Sequence, residues 1–275
     1  MKIYFIATGE QDVTLKLMSE ACTKRGVDYE VLDPMQVNPD DIQIKPGDAV
    51  YRMATASHYG ATELEWNLIF KGAKSFRGPK NLPLLRGIDL MIFEKAGVPT
   101  PKTVPYIPKD RAALTKCVDA LGGFPICLKV LGQSHGAGVM RVDSMQSLFS
   151  VSDYVRAHGG QSVMKEYCDV TSSARLIVLD GKVIDSIEYS ANKGDFRSNE
   201  GAQPNVAAKT FSDEVNEIAV RAVESLDLKF GGVDIMITPK GPMVAEVNCP
   251  CFFPRCQLLT GTDIAGQMVD YLCSK

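Results

Sequence analysis

The sequence predicts an α/β (α+β) protein, a small parallel-sheet unit followed by a larger part built on antiparallel hairpins. In the first 53 residues two apolar strand-like runs flank an amphipathic helix and a third run follows, the β-α-β order of a parallel sheet. Further on, the runs around Asp180-Gly181 and residues 231–248 alternate with period two about short turns, as hairpin strands do. At 275 residues, with 45% hydrophobic and 23% charged side chains, the chain has room for two domains, or one large α/β unit, with ample core.

Residues 2–6 (KIYFI) and 27–32 (VDYEVL) read as strands, and Leu15, Met18 and Cys22 fall at helical spacing between them, with Leu17 and Ala21 widening the apolar face. Residues 48–53 (DAVYRM) make a third strand. Residues 60–73 form an amphipathic helix whose tryptophan, Trp66, belongs in the core. Arg52 stands at a strand end before a loop rich in small residues, where open α/β sheets contact ligands; an ion pair or solvent is the commoner fate of a single arginine. Residues 74–83 read as a linker. A helix over 84–96 then stops at Gly97-Val98-Pro99.

A helix over 110–121 opens the second region. Residues 125–130 form a strand carrying Lys129 among apolar neighbours, and 139–142 form another. The glycine-rich loop between them, residues 132–138, holds His135, Gly136 and Gly138. It joins two strands and lacks the Gly-Lys-Ser/Thr of a P-loop. A strand, glycine loop and strand with a lysine beside them resemble the flap over ATP phosphates in protein kinases, a plain flexible hairpin being the alternative. A helix over 145–158 and a strand over 163–167 follow. Residues 175–189 then form a hairpin with Asp180-Gly181 at its turn, and 192–199 form a polar loop with Lys193 and Arg197. Helices are expected over 213–227, with Asp213 and Glu214 favouring its dipole, and over 262–273. The expected divisions are residues 1–82, 83–168 and 169–275.

The hairpin over 231–248 carries the chemistry. A three-residue loop at Pro239-Lys240-Gly241 would pair Thr238 with Pro242 and set Asp234 opposite Glu246, with Asn248 on the same face. Two facing carboxylates without a counter-charge repel, and Glu246 interrupts an apolar strand. A hard cation such as Mg²⁺, which takes oxygen ligands, resolves both problems, whereas an ordinary hairpin with a wet polar face does not.

Composition excludes several classes. A net charge of −3 gives no basic field for nucleic acid or an anionic membrane. No apolar run reaches membrane-spanning length, and the N-terminal residues read as a strand rather than a signal peptide, so a cytoplasmic location is expected. Most of the eight cysteines are scattered, as in a reducing compartment. Cys249, Cys251 and Cys256 cluster, but no second group completes a thiolate metal site, so a packed or substrate-facing loop is expected ahead of a reactive thiol.

Lys129, the glycine loop, Lys165-Glu166-Tyr167, DFRSN (195–199), GGVD (231–234) and EVN (246–248) occur in one order. Together they resemble the ATP-grasp superfamily and, through DFRSN and TGTDIAG (260–266), its RimK-like carboxylate–amine ligases. The resemblance is most specific from residue 83 onward. It implies an ATP-grasp fold, with residues 1–82 as the small preceding domain. It also implies an ADP-forming ligase that makes an amide bond through an acylphosphate, adding an amino acid such as glutamate to a peptide, protein or small-molecule acceptor. The other class to weigh is an ATP-binding module of the same fold without activity. By residue matching, Arg86 and Lys129 contact ATP phosphates, Gly136 and Gly138 belong to the flap, and Glu166 and Tyr167 form the hinge by the adenine. Arg197, Ser198 and Asn199 reach the phosphates, with Arg197 at the reacting centre, and Asp234, Glu246 and Asn248 hold Mg²⁺ or Mn²⁺. A homodimer or homotetramer is implied. The chain departs from the pattern at Ser172-Ser173-Ala174, where an acid on the ribose is usual, and at Cys249-Pro250-Cys251-Phe252, where Ala-Ser-Pro-Gly is common.

Overall fold

The computed structural model describes residues 1–9, 12–56, 60–81, 88–132, 137–190 and 205–274. Strand β1 (Lys2–Ile6), helix α1 (Val13–Arg25), β2 (Asp28–Leu32) and β3 (Ala49–Arg52) build a parallel sheet in the order β2-β1-β3. Helix α1 starts where the Asp12 carboxylate accepts from the Thr14 and Leu15 amides, and it ends on Gly26 at φ 63, a left-handed position glycine takes without strain. Leu15, Met18 and Cys22 are buried, as their spacing requires, and so is Trp66 on α2 (Ala61–Phe70).

The stretch read as a linker is part of the structure over 74–81. Lys74 bridges to Ala49, and Arg77 bridges to Leu228. Phe76 packs at a tilt against Phe230 (centroids 5.0 Å apart) and stacks on Tyr271 (5.4 Å). Its polar composition hid this, because an isolated Phe among Lys, Arg, Gly and Pro has no period to reveal which face is buried. The first sheet therefore shares one core with residues near the other end of the chain, including Cys251, Phe253, Cys256, Ile264 and Met268.

Next come α3 (Ile88–Lys95), β4 (Thr103–Val104), α4 (Arg111–Ala120), β5 (Ile126–Val130), β6 (Val139–Val142), α5 (Met145–Ala157) and β7 (Ser162–Glu166). The strands form an antiparallel sheet, β4-β7-β5-β6, over a core of Leu114, Val118, Leu128, Leu148 and Met164.

The third sheet holds β8 (Ser172–Leu179), β9 (Lys182–Ser190), β10 (Val206–Ala208), β11 (Phe230–Thr238) and β12 (Gly241–Asn248), in the order β10-β9-β8-β11-β12. Between β8 and β9, Asp180 (φ 46) and Gly181 (φ 74) both adopt left-handed backbone, the two-residue turn that their sequence signals. Helix α6 (Asp213–Ser225) buries Val215, Ile218, Ala219, Ala222 and Val223 against one face of this sheet. Helices α7 (Pro254–Thr260), which the sequence did not reveal, and α8 (Ile264–Cys273) close the chain.

The β11–β12 connection corrects the expected turn. Thr238 pairs with Gly241, so the loop has two residues, Pro239 and Lys240. Ile235 consequently pairs with Val244, a register that would leave Asp234 opposite Ala245. A β-bulge between Asp234 and Ile235 absorbs one residue of β12, and Asp234 faces Glu246 after all. The juxtaposition follows from a bulge and not from loop length, and bulges are common where a strand must re-aim a side chain.

Candidate active site

The face of the five-stranded sheet opposite α6 carries the converging polar groups. Asp234, nearly buried at 7% exposure, faces Glu246 across the ladder, and Asn248 follows two residues on. The Asn248 side-chain nitrogen lies 3.3 Å from Asp234 Oδ2 and 3.2 Å from Glu246 Oε1, so all three side chains meet at one corner.

Each carboxylate also has a cation. On the neighbouring strand, Arg175 is register-paired with Asp234 and grips it with two bonds, Nη2 to Oδ2 at 2.8 Å and Nε to Oδ1 at 2.5 Å. From the four-stranded sheet, Lys129 Nζ reaches Glu246 Oε2 at 2.9 Å. That contact joins the two antiparallel sheets across a cleft. Burial works against ionising Glu246, yet the Lys129 ammonium and the Asn248 amide hold its pKa down at about 2. For Asp234, burial pushes the pKa up, and the Glu246 charge adds to this against the pull of Arg175.

The donor set suits a hard cation. Among the described residues no three His, Cys, Asp or Glu side chains converge, and the corner instead offers two carboxylates and one amide. Oxygen donors of this kind, with positions left for phosphate or water, match Mg²⁺ and not a soft metal. An amide has its oxygen and nitrogen interchanged by a half-turn, so Asn248 can present oxygen to the corner.

Lys165, named in the sequence as part of the Lys165-Glu166-Tyr167 motif but given no role there, lies on β7 directly opposite Cys127 of β5 and shares a face with Lys129. Burial and the Lys129 charge lower its pKa, against the opposing pull of Asp89, Cys127 and Glu246. It has no carboxylate partner among the described residues. Glu166 turns elsewhere. Its Oε1 accepts from the Lys102 amide at 2.9 Å, clamping β7 to the chain beside β4. The Arg141 guanidinium sits over the Tyr167 ring at 4.7 Å. Gly138 has φ 76, and its carbonyl accepts from Val130 N at 2.9 Å, closing the neck of the glycine loop.

Arg86, Gly136, Arg197, Ser198 and Asn199 lie outside the described residues, as do His135 and Lys193. Arg52 meets the commoner fate of an arginine. It is buried and paired with Glu65 at 3.0 Å, so it is not a free ligand contact. The clustered cysteines are packing groups whose burial raises their pKa values, to about 11 for Cys249 and about 12 for Cys256. Cys251 Sγ fills the space above Gly232, where an added Cβ would lie 2.1 Å from the sulfur.

A model of the RimK-like ATP-grasp domain matches residues 85–272. The chain belongs to the RimK-like ATP-grasp family. Among its relatives is the ribosomal protein bS6–L-glutamate ligase of Escherichia coli (strain K12 / DH10B), 30% identical over 99% of this chain and 95% of that protein. The ATP-grasp ligase PsnB, in complex with a minimal precursor, Mg and ADP, has a similar fold, with a TM-score of 0.74, 19% identity and coverage of 98% of this chain and 96% of that one. The RimK domain protein of Sphaerobacter thermophilus aligns over the whole of both chains with a TM-score of 0.70 and 19% identity. The protein is an ADP-forming acid–amine ligase of this family, whose members use ATP and Mg²⁺. No helix among the described residues is long and apolar enough to cross a membrane.

Proposed function

We propose that this ligase joins the amine of an amino acid, glutamate first among candidates, to a carboxylate of a peptide or protein acceptor. The single observation that carries the reading is the corner of Asp234, Glu246 and Asn248, with Lys129 reaching it from the opposite sheet. The relatives that act on a ribosomal protein and on a precursor peptide support a peptide-like acceptor over a small molecule. A cytoplasmic location goes with such an acceptor.

In the reaction the acceptor carboxylate oxygen attacks the γ-phosphorus of ATP, ADP departs, and the amine displaces phosphate from the acylphosphate to leave an amide. Phosphoryl transfer of this kind needs positioning and charge neutralisation more than protein nucleophiles. Asp234, Glu246 and Asn248 would hold Mg²⁺, or Mn²⁺ in its place, which neutralises phosphate charge when bound. Lys129 exchanges Glu246 for phosphate oxygen, Lys165 adds positive charge beside it, and Arg86 contacts phosphate as the family pattern implies. Backbone groups of the Glu166–Tyr167 hinge take the adenine, because the Glu166 carboxylate is already engaged. The flap that includes Gly136 and Gly138 excludes water from the acylphosphate. Ser198 and Asn199 bind phosphate, and Arg197 stabilises the charge that develops at the acyl centre.

A hydroxylamine trap tests the reading. The protein is incubated with ATP, Mg²⁺, hydroxylamine and pools of peptides, and hydroxamate is measured with ADP. Hydroxamate on a peptide carboxyl, replaced by an amide when glutamate is supplied, is the expected result. ATP binding with neither ADP nor hydroxamate across the pools would overturn it in favour of a nucleotide-binding module.

A further inference from the structure

Strand β12 is the edge of its sheet, and Asn248 is its last residue. On one side Asn248 is paired with Gly232 of β11. On the other side no strand among the described residues holds it, and an edge strand without a neighbour frays at its end. The middle of the strand has a separate tether, Val244 N to the Pro99 carbonyl at 2.8 Å. At the Asn248 end the tether is Arg77, whose Nη2 donates to the Cys249 carbonyl at 3.0 Å, one residue beyond Asn248.

Arg77 is fixed on every side. Its Nε and Nη2 meet the two Glu65 oxygens at 3.1 and 3.2 Å, and its Nη1 donates to Asn81 Oδ1 at 2.8 Å. Asn81 is held in turn by a bond from its Nδ2 to the Leu226 carbonyl at 2.6 Å. Glu65 also receives Arg52, so one carboxylate, 5% exposed, serves two arginines that are 11% and 10% exposed. Burying an ion cluster of this kind seldom stabilises a protein more than apolar packing of the same volume would. What the guanidinium supplies and an apolar side chain cannot is a directed donor, aimed here at the carbonyl after Asn248. Glu65 lies on α2 beside the parallel sheet, so through this contact the parallel-sheet unit reaches the end of β12 in the five-stranded sheet.

We infer that Arg77, oriented by Glu65, is a positioning residue for Asn248: it fixes the end of β12 so that the Asn248 side chain stays at the cation corner. The inference rests on the reading of Asp234, Glu246 and Asn248 as the divalent-cation site.

The test is Mn²⁺ binding to the full chain with ADP present, followed by the loss of the free-ion resonance signal, for the unaltered protein and for Glu65→Gln, Arg77→Lys and Arg52→Lys. Partners that orient metal ligands typically change affinity by about 10-fold or more when altered. Mn²⁺ affinity should fall about 10-fold in Arg77→Lys and less in Glu65→Gln, which keeps the shape of the cluster. In both variants metal-free ADP affinity should hold within about two-fold. Arg52→Lys, which disturbs the same carboxylate without touching Cys249, should bind Mn²⁺ as the unaltered chain does. If Arg77→Lys does not fold, Glu65→Gln carries the test. Unchanged Mn²⁺ affinity in a folded Glu65→Gln or Arg77→Lys, or an equal loss in Arg52→Lys, would overturn the positioning role while leaving the cation site in place. Failure of the unaltered chain to take up Mn²⁺ would remove the cation site itself, and the positioning role with it.

Discussion

Replacing Lys129 with Met removes the counter-charge of Glu246 and leaves that carboxylate beside Asp234 in the cleft. The Glu246 pKa falls from its ordinary 4.5 to about 2 in the folded protein. At about 1.4 kcal/mol per pH unit this corresponds to about 3.5 kcal/mol, a net figure in which Lys129, Asn248 and Arg175 outweigh the cost of burial. The Glu246 side chain is 37% exposed and that of Lys129 30%. Solvent screening therefore brings the coupling between the two charges to about 1 kcal/mol. The assay is urea unfolding at pH 7, without nucleotide or metal, of the unaltered chain, Lys129→Met, Glu246→Gln and the double variant, read as a double-mutant cycle. Lys129→Met should be the least stable of the four, and the double variant should recover part of the loss. The sign with pH follows from a depressed carboxylate: the contribution is complete above about 4.5 and fades as pH falls from there toward 2. The gap between the unaltered chain and Lys129→Met should thus be constant from pH 7 to 5 and narrow below 4.5. A coupling under ~0.3 kcal/mol, or a gap that does not change through that range, would refute the charge argument.

Lys165→Met should make the ligand-free protein more stable and its ATP binding weaker, because the buried ammonium beside Lys129 costs stability that only an anionic ligand offsets. Since the Lys165 pKa is lowered, the unaltered chain should gain stability relative to the variant as pH rises toward 10.5; a lower melting temperature for Lys165→Met at pH 7 would contradict this. Gly232→Ala forces a Cβ onto Cys251 Sγ and should cost about 1–3 kcal/mol of overpacking, relieved in part by adding Cys251→Gly; an unmoved urea midpoint in Gly232→Ala would show that the loop yields freely. Arg197→Ala should lower kcat far more than ATP affinity, and equal losses in the two would reduce Arg197 to a nucleotide contact.

Much of the site could be read locally. Period-two alternation put Asp234, Glu246 and Asn248 on one face, and a lysine in an apolar strand marked Lys129. The Asp180-Gly181 turn and the apolar face of α6 were legible for the same reason, since each depends on neighbours within a few residues. Asp12 before α1 and Gly26 after it fix that helix by equally local chemistry. Short elements escaped. Helix α7 has only seven residues, and β4 only two, too few for a period to show.

The sequence by itself determined the family, the longer strands and helices, and that Asp234, Glu246 and Asn248 share one face of a hairpin. Tertiary structure decided the partners of those acids. Arg175 meets Asp234 because β8 lies beside β11, 59 residues away in sequence, and Lys129 meets Glu246 across 117 residues because two sheets face each other. The bulge that restores Asp234 to Glu246 and the reach of Arg77 to the Cys249 carbonyl are likewise products of packing. Side-chain direction along one strand is set by the pleat and is written in the local sequence. Which charge neutralises which depends on how separate layers close over the core, and no short stretch of sequence carries that information.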